Sequence, residues 1–470
     1  MNASKCTQFQ KQLCMCQLRT LWTALGVVVL MTIMGCDSNS SDRTRFYQEA
    51  ELTTPPSDCL WAGGNILEYE RFNFQFGDTN VAYWAAVYIL PEEGAYVTFQ
   101  HQFPHSRFTA LTSYSSLGAW VDQLTDWEII PAEGGINPFI EGSPRNDSFR
   151  WFTVSVKSGE RPENSSIATE NELYYGNTEV GGIVVLIYRN YLPDAGQDAT
   201  GGVGLPRVTL HMADGSILQG EDACAVLGIG YEPNPSLMSP DVYAALREST
   251  DPSHNPPLFR ATYDRPFQIR CEFEGDCSNP PPRGALIFLN SNQVTMYSFL
   301  NRQYGEVAVL RGKIPKTPRT YNGDELFMNG ELRYWAMCQN EYYSTKVKAC
   351  LFDEAIQINS DGFYTIVTSR PEDRPSNATE ECGVGFIPWS VEGDGFGIVE
   401  GRENNADDGY LLIRNVLPSP DFHHANQNTS VVGDEAEVLG EFLPKGQYFT
   451  KEEFEGLGCN PGPLLPYESM

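Results

Sequence analysis

The segment VVLIYRNYLPD at residues 184–194 and the segment LLIRNVLPSPD at residues 411–421 share one pattern. Each begins with aliphatic and β-branched residues and continues into Arg-Asn-x-Leu-Pro. Short runs of this composition, bounded by Pro and Asp, are typical of β-strands. The pattern therefore predicts a strand with an arginine inside it, present twice in the chain.

Other segments recur in the same order in both halves. The two arginines of a copy, Arg107 and Arg189 or Arg333 and Arg414, are 82 positions apart in the first copy and 81 in the second. An ordered series of matches indicates an internal duplication. The recurring segments are SRFTALTSY (106–114) and LRYWAMCQN (332–340), followed by WFTVSVKSGERP (151–162) and FYTIVTSRPEDRP (363–375).

Short strand-like segments dominate the chain, and helical periodicity is sparse. We expect short helices only at residues 121–127 and 240–249. A doubly wound α/β fold needs a long helix between successive strands, which the sequence does not offer. The prediction is a mainly β chain with two tandem antiparallel β-sandwich domains, jelly-roll-like, with few short helices.

The order of these motifs resembles a known family. A Tyr/Phe-Thr-Val/Ile strand, an aromatic element (Tyr174-Tyr175 or Pro388-Trp389) and Leu-Ile-x-Arg-Asn-x-Leu-Pro are similar to a widespread bacterial jelly-roll family of unknown function. This chain differs in being duplicated and cysteine-bearing, and its first copy lacks the proline of the aromatic element. The resemblance implies a fold and carries no established activity.

The amino-terminal region predicts export. Three basic residues and no acidic residue precede an apolar stretch at 21–34, which is too short to span a bilayer. The segment LMTIMGCD at 30–37 resembles the lipobox of bacterial lipoproteins, which predicts a lipid attached to Cys36. The alternative is an ordinary signal peptide with an incidental cysteine.

A lipidated Cys36 would hold the protein on a membrane of the bacterial cell envelope, on its periplasmic or cell-surface side. Asp37 resembles a retention signal for the inner membrane, but the choice between inner and outer membrane stays open.

The composition argues against nucleic acid as a partner. The net charge is −29. Without residues 1–36 it is −32, because 29 basic residues then face 61 acidic ones. A field of that sign repels phosphate backbones.

Cysteine usage agrees with an oxidising compartment. Of twelve cysteines, four lie within residues 1–36, which leaves an even number for pairing. Spacing suggests the pairs Cys59 with Cys224, Cys271 with Cys277, Cys338 with Cys350, and Cys382 with Cys459.

Composition shifts suggest five parts along the chain. They are a lipoprotein signal peptide (1–36), a flexible tether (37–56), a first sandwich (57–235), a Pro-rich linker (236–270) and a second sandwich (271–470).

Arg107, Arg189, Arg333 and Arg414 are the candidate ligand-binding residues. A guanidinium inside a strand needs a carboxylate partner or a bound anion to offset its desolvation. One interpretation is a structural Arg–carboxylate pair repeated by duplication. The other is a clamp for a carboxylate-bearing ligand at the rim of each sandwich.

Metal, cofactor and catalytic patterns are weak. Asp194 and Asp198 are weak calcium candidates, but turn chemistry explains them equally well. Neighbouring His423 and His424 make a poor metal pair, and we expect His101 and His105 at the surface or in caps. We expect no cofactor, and catalytic residues stay unassigned.

These observations favour an exported lipoprotein that acts as a non-catalytic binding or envelope-organising module. The alternative is a hydrolase acting on a polysaccharide or ester in an interdomain cleft. Expected partners are the membrane, through the lipid, and a glycan, a carboxylate ligand or an envelope protein.

Overall fold

The computed structural model of the protein describes residues 59–65, 73–162, 171–177, 182–227, 237–283 and 288–462. All of them belong to one compact unit, residues 50–470. The predicted signal peptide, Cys36 and the tether lie outside the described residues. No helix within the described ranges is long and apolar enough to cross a membrane.

The described residues up to 227, the first half, are rich in short strands. These are β1 (Trp61–Asn65), β2 (Val81–Ile89), β3 (Tyr96–Gln102), β4 (Ser106–Tyr114), β5 (Trp120–Thr125), β6 (Trp151–Lys157), β7 (Glu172–Tyr174), β8 (Ile183–Pro193), β9 (Arg207–His211) and β10 (Ile217–Gln219).

The described residues from 237, the second half, continue in the same way. Their strands are β11 (Arg260–Ala261), β12 (Gln293–Asn301), β13 (Val307–Lys313), β14 (Leu332–Asn340), β15 (Val347–Phe352), β16 (Phe363–Ser369), β17 (Gly385–Pro388), β18 (Asp408–Pro418) and β19 (Lys445–Phe449).

The strands form four sheets. In the first half the orders are β1-β2-β8-β4-β5 and β10-β9-β3-β6-β7, and in the second half β11-β12-β18-β14-β15 and β17-β16-β13-β19. Pairing is antiparallel except between β6 and β7 and between β16 and β17. The predicted mainly β fold class, with antiparallel sheets and few short helices, is confirmed.

Side-chain alternation explains how the sheets stack. Along β3, Val97, Phe99 and His101 are buried while the residues between them are more exposed. Such alternation fits a sheet with one face on a core and one face in solvent. Strands β4 and β14 are instead buried at every position, so both of their faces are covered.

Three apolar layers account for this burial. The two sheets of the first half enclose a core that includes Trp84 and Phe99, and those of the second half enclose one that includes Trp335 and Trp389. A third cluster joins the sheet containing β4 to the sheet containing β14, with Phe108, Tyr191 and Tyr334 among its residues. We call these two sheets the inner sheets. The halves therefore pack against each other through their inner sheets.

Helices are short, and along the chain they lie mainly between the strands of the first and second halves or near the carboxyl end. They are α1 (Gly220–Leu227), α2 (Pro240–Ser249), α3 (Arg265–Phe273), α4 (Glu435–Leu439) and α5 (Lys451–Gly456). The predicted helix at 240–249 is present as α2. Within the segment predicted as a linker, α2 buries Tyr243 and β11 pairs with β12.

The predicted helix at residues 121–127 is wrong. This segment forms β5, which pairs with β4 from Ala110 opposite Thr125 to Tyr114 opposite Trp120, followed by a 3₁₀ turn at Asp126–Glu128. Burial of Leu124 against the first core decides the conformation, because strand pairing outweighs the weak local helical pattern.

Four disulfides close the fold. They join Cys59 to Cys224, Cys271 to Cys277, Cys338 to Cys350, and Cys382 to Cys459, the pairs that spacing suggested. The third links opposite residues of β14 and β15.

Candidate functional site

The four candidate arginines lie on equivalent strands of the inner sheets. Arg107 and Arg333 stand near the starts of β4 and β14, while Arg189 and Arg414 lie inside β8 and β18. Each is at least 94% buried. Each side chain contacts the other half of the molecule, so all four lie between the halves.

Arg107 is held by acidic residues of the second half. Its Nη1 donates to both carboxylate oxygens of Asp353, at 3.0 and 3.1 Å, and Nη2 donates to Glu354. Its Nε donates to Thr320 Oγ1 at 2.7 Å. Burial raises the pKa of Asp353, and the charge of Arg107 opposes that shift.

Arg333 makes the reciprocal contact. Its Nη1 donates to Asp126 Oδ1 in the first half at 3.2 Å. Asp126 and Asp353 also accept equivalent hydrogen bonds from the backbone. The N–H of Thr109 donates to Asp126, and the N–H of Trp335 donates to Asp353. Burial raises the pKa of Asp126 to about 6, while Arg333 lowers it. The contacts of these two arginines fit the interpretation of a structural Arg–carboxylate pair present in both halves.

Arg189 has a different environment. Its Nη1 donates to Thr112 Oγ1 at 3.1 Å, and Nη2 donates to the carbonyl of Phe288 in the second half at 2.7 Å. The guanidinium lies 5.9 Å from the ring centre of Tyr83 and 5.6 Å from that of Tyr114. Within the described ranges, no carboxylate forms an ion pair with it.

Arg414 mirrors these contacts from the second half. Its Nη2 donates to the carbonyls of Phe76 and Gly77, the latter at 2.7 Å. Its Nε lies 4.0 Å from Asp78 Oδ2. Its Nη1 is buried and has no hydrogen-bond partner among the described residues.

Equivalent backbone turns present the accepting carbonyls. Phe76 and Phe288 both adopt left-handed backbone angles, with φ of 53° and 55°. That conformation is uncommon for a bulky residue. Its presence at both positions shows that the two halves build the same turn, each aimed at the other half's arginine.

Arg189 and Arg414 meet at a cavity of about 160 Å³ between the halves. Its wall includes Phe76, Tyr83, Phe288 and Asn290 besides the two arginines. No acidic side chain is among the described residues that line it. The cavity combines buried cationic donors with aromatic walls, a combination suited to an anionic group attached to an apolar body.

The carboxylates of the two weak metal candidates bind other groups of the protein. Asp194 accepts from Arg145 Nη2 at 2.5 and 2.6 Å. Asp198 Oδ1 accepts from the N–H groups of Thr200 and Gly202, at 2.9 and 3.0 Å, and closes a turn. Ion pairing and turn geometry therefore explain both carboxylates.

The histidines lie apart from the cavity. The surface position expected for His101 is wrong, because it is only 2% exposed, with Nε2 3.1 Å from Tyr188 Oη. Burial lowers its pKa to about 3. His105 is half-buried beside Arg150, and burial lowers its pKa to about 4. His423 and His424 are exposed.

The sequence contained a signal for the cavity turns that our reading of it missed. Residues 76–80 read FGDTN and residues 288–292 read FLNSN, each just before a strand of an inner sheet. The shared Phe-x-Asp/Asn-Thr/Ser-Asn pattern marks the two equivalent turns.

Comparisons with known proteins found only low similarity. No family model and no curated protein match the chain. An uncharacterised protein from Burkholderia cenocepacia is similar, with a TM-score of 0.43 and 10% identity over 86% of this chain and 85% of that chain. An anti-sigma factor domain-containing protein from Clostridium clariflavum has a TM-score of 0.21 and 8% identity, over 77% and 83%. The resemblance to the jelly-roll family stays a prediction, and the functional argument depends on the site geometry.

Proposed function

We propose that the protein is an exported, lipid-anchored component of the bacterial cell envelope that binds a carboxylate-bearing ligand between its halves without catalysis. The four disulfides fit a protein that folds on the extracellular or envelope side. The lipobox-like segment around Cys36 supports the anchor.

One observation carries the binding role. Two buried arginines line one cavity, and Arg414 has a buried N–H group without a hydrogen-bond partner among the described residues. An unsatisfied buried donor is costly unless a ligand accepts from it. A carboxylate beside the two arginines would offer acceptors to buried guanidinium groups and neutralise charge at the same time.

The matching strand orders and the exchanged arginine contacts support a duplication as the origin of the site. Each copy supplies one arginine and one turn, and the cavity forms where the copies meet. The binding site would then belong to the pair of copies and to neither copy alone.

The anchor is tested by labelling cells with radioactive palmitate. We expect label on the wild type and none on Cys36→Ala, because the thiol is the attachment atom. Equal labelling of both would remove the lipid anchor from the proposal.

Binding is tested by a thermal-shift screen of the protein with carboxylates, neutral glycans and divalent metals. A ligand that binds only the folded state raises the melting temperature. We expect carboxylates to do so in the wild type and less in Arg414→Lys, which keeps the charge but loses the forked donors. Arg302→Lys, in a partly buried ion pair with Asp373 outside the cavity wall, serves as the control. A shift from glycans or metals alone would contradict the proposal.

A further inference from the structure

The two halves differ at one position that sets the charge of the cavity. The N–H of Leu192 donates to the carbonyl of Asn80, and that of Leu417 donates to Asn292, so these two asparagines are equivalent. Two residues earlier, the first half has Asp78 and the second half has Asn290. Duplication thus gives two equivalent arginines but only one carboxylate.

Among the described residues, this difference leaves one positive charge without a carboxylate to compensate it. Asp78 lies 4.0 Å from Arg414, whereas Arg189 faces a cavity wall that contains the neutral Asn290. Asn290 donates to Tyr191 Oη at 3.0 Å, so it is part of an ordered network. A buried cation without a counter-charge is strongly disfavoured. A monoanion would balance the site, whereas a dianion would leave it with excess negative charge.

The size of the cavity limits the rest of the ligand. Its volume of about 160 Å³ is close to that of the engineered cavity of about 150 Å³ that binds benzene. Phe76, Ile187, Phe288 and Leu289 supply apolar wall. A ring or a short hydrocarbon chain fits this space, and a sugar chain does not.

Building on the proposed binding function, we infer that the ligand class is a small monocarboxylate with an apolar body of roughly one aromatic ring. The carboxylate lies near Arg189 and Arg414, and the apolar body lies against Phe76 and Phe288.

The test is calorimetric titration of the full-length protein with defined probes. Benzoate, phenylacetate and hexanoate carry one carboxylate and an apolar body. Acetate lacks the body, benzyl alcohol lacks the charge, and terephthalate has a second carboxylate. We expect at least one of the first three to bind about tenfold more tightly than each of the other probes.

Two variants separate charge from volume. Asn290→Asp restores the missing carboxylate at nearly constant size and should weaken monocarboxylate binding about tenfold. Ala85→Leu fills cavity space and should also weaken it. Asn177→Asp and Ala245→Leu make the same chemical changes at exposed positions and should bind like the wild type. Melting temperatures without ligand show whether each variant is folded.

The outcomes distinguish the inference from the proposed function. If acetate or terephthalate binds as tightly as the best of benzoate, phenylacetate and hexanoate, and Asn290→Asp still weakens binding, the ligand class is wrong while a carboxylate site stands. If no carboxylate binds, or if binding is unchanged in both Asn290→Asp and Ala85→Leu, both proposals fail for this cavity.

Discussion

At the scale of single residues, the partners that compensate the buried charge divide the four arginines into two kinds. Arg107 and Arg333 are neutralised by carboxylates of the opposite half, whereas Arg189 and Arg414 each donate to backbone carbonyl oxygen of the opposite half beside a cavity. Their positions in strands could be predicted from the sequence. Which of them pair with carboxylates and which line the cavity could not be predicted, because that depends on groups more than 70 positions away in the chain.

The first prediction concerns the Arg107–Asp353 pair. Asp353→Asn removes one of the two carboxylates that balance a fully buried guanidinium. Breaking such a pair costs roughly 3 kcal/mol of unfolding free energy. Asp241→Asn breaks the surface pair with Arg402 and should cost less than about 1 kcal/mol. Urea unfolding of both variants measures the difference, and equal losses would show that burial of the pair does not matter.

The second prediction is a pH dependence caused by His101. Burial lowers its pKa to about 3 in the folded protein, from an ordinary value of 6.5. The stability that it contributes is therefore complete above pH 6.5 and is lost as the pH falls towards 3, by about 1.4 kcal/mol per pH unit.

His101→Gln can keep a hydrogen bond to Tyr188 without titrating. We expect the wild type to lose about 2 kcal/mol relative to this variant between pH 6.5 and 5. Urea unfolding at several pH values measures the gap, with the exposed His423→Gln as control. A gap that stays constant with pH would contradict a buried neutral His101.

At the scale of elements, strand β18 shows how one glycine permits close packing. A Cβ at Gly409 would lie 2.6 Å from the ring of Trp389, whose Nε1 donates to the carbonyl of Asp408. Gly409→Ala should cost about 1–3 kcal/mol, because the ring cannot move without losing that bond. Gly456→Ala, in α5 with open space around it, should be neutral or stabilising. Thermal unfolding compares them, and an unaffected Gly409→Ala would show that the ring shifts freely.

Most of the strands could be predicted from local pattern, because alternation along segments such as β3 and β6 reports which face is buried. The segment at 121–127 could not, because its pairing with β4 decides its conformation. Helix α3 had a recognisable start that our interpretation missed: Asp264 accepts from the N–H of Phe267, and Pro266 follows in the first turn.

At the scale of the whole molecule, the halves complete each other. Each inner sheet buries apolar residues against the other, and the Arg107–Asp353 and Arg333–Asp126 pairs each take the acid from one half and the arginine from the other. The sequence predicted a repeat and singled out its four arginines. It could not indicate the cavity, because that space exists only where the two inner sheets are packed together.

The last prediction follows from the ion pairs between the halves: a destabilising substitution in one half should lower the stability of both. Asp126→Asn removes the charge that pairs with Arg333 across the interface, which should cost about 3 kcal/mol of unfolding free energy. The amide hydrogens that exchange most slowly report global unfolding, so their opening free energies should fall by the same amount. If the molecule unfolds as one unit, β16 in the second half should lose as much protection as β3 in the first. Native-state hydrogen exchange measures both strands, with the exposed Asp214→Asn as control. Lost protection in β3 with β16 unchanged would mean that the halves unfold separately, and the interface would then be a weak contact between two independent domains.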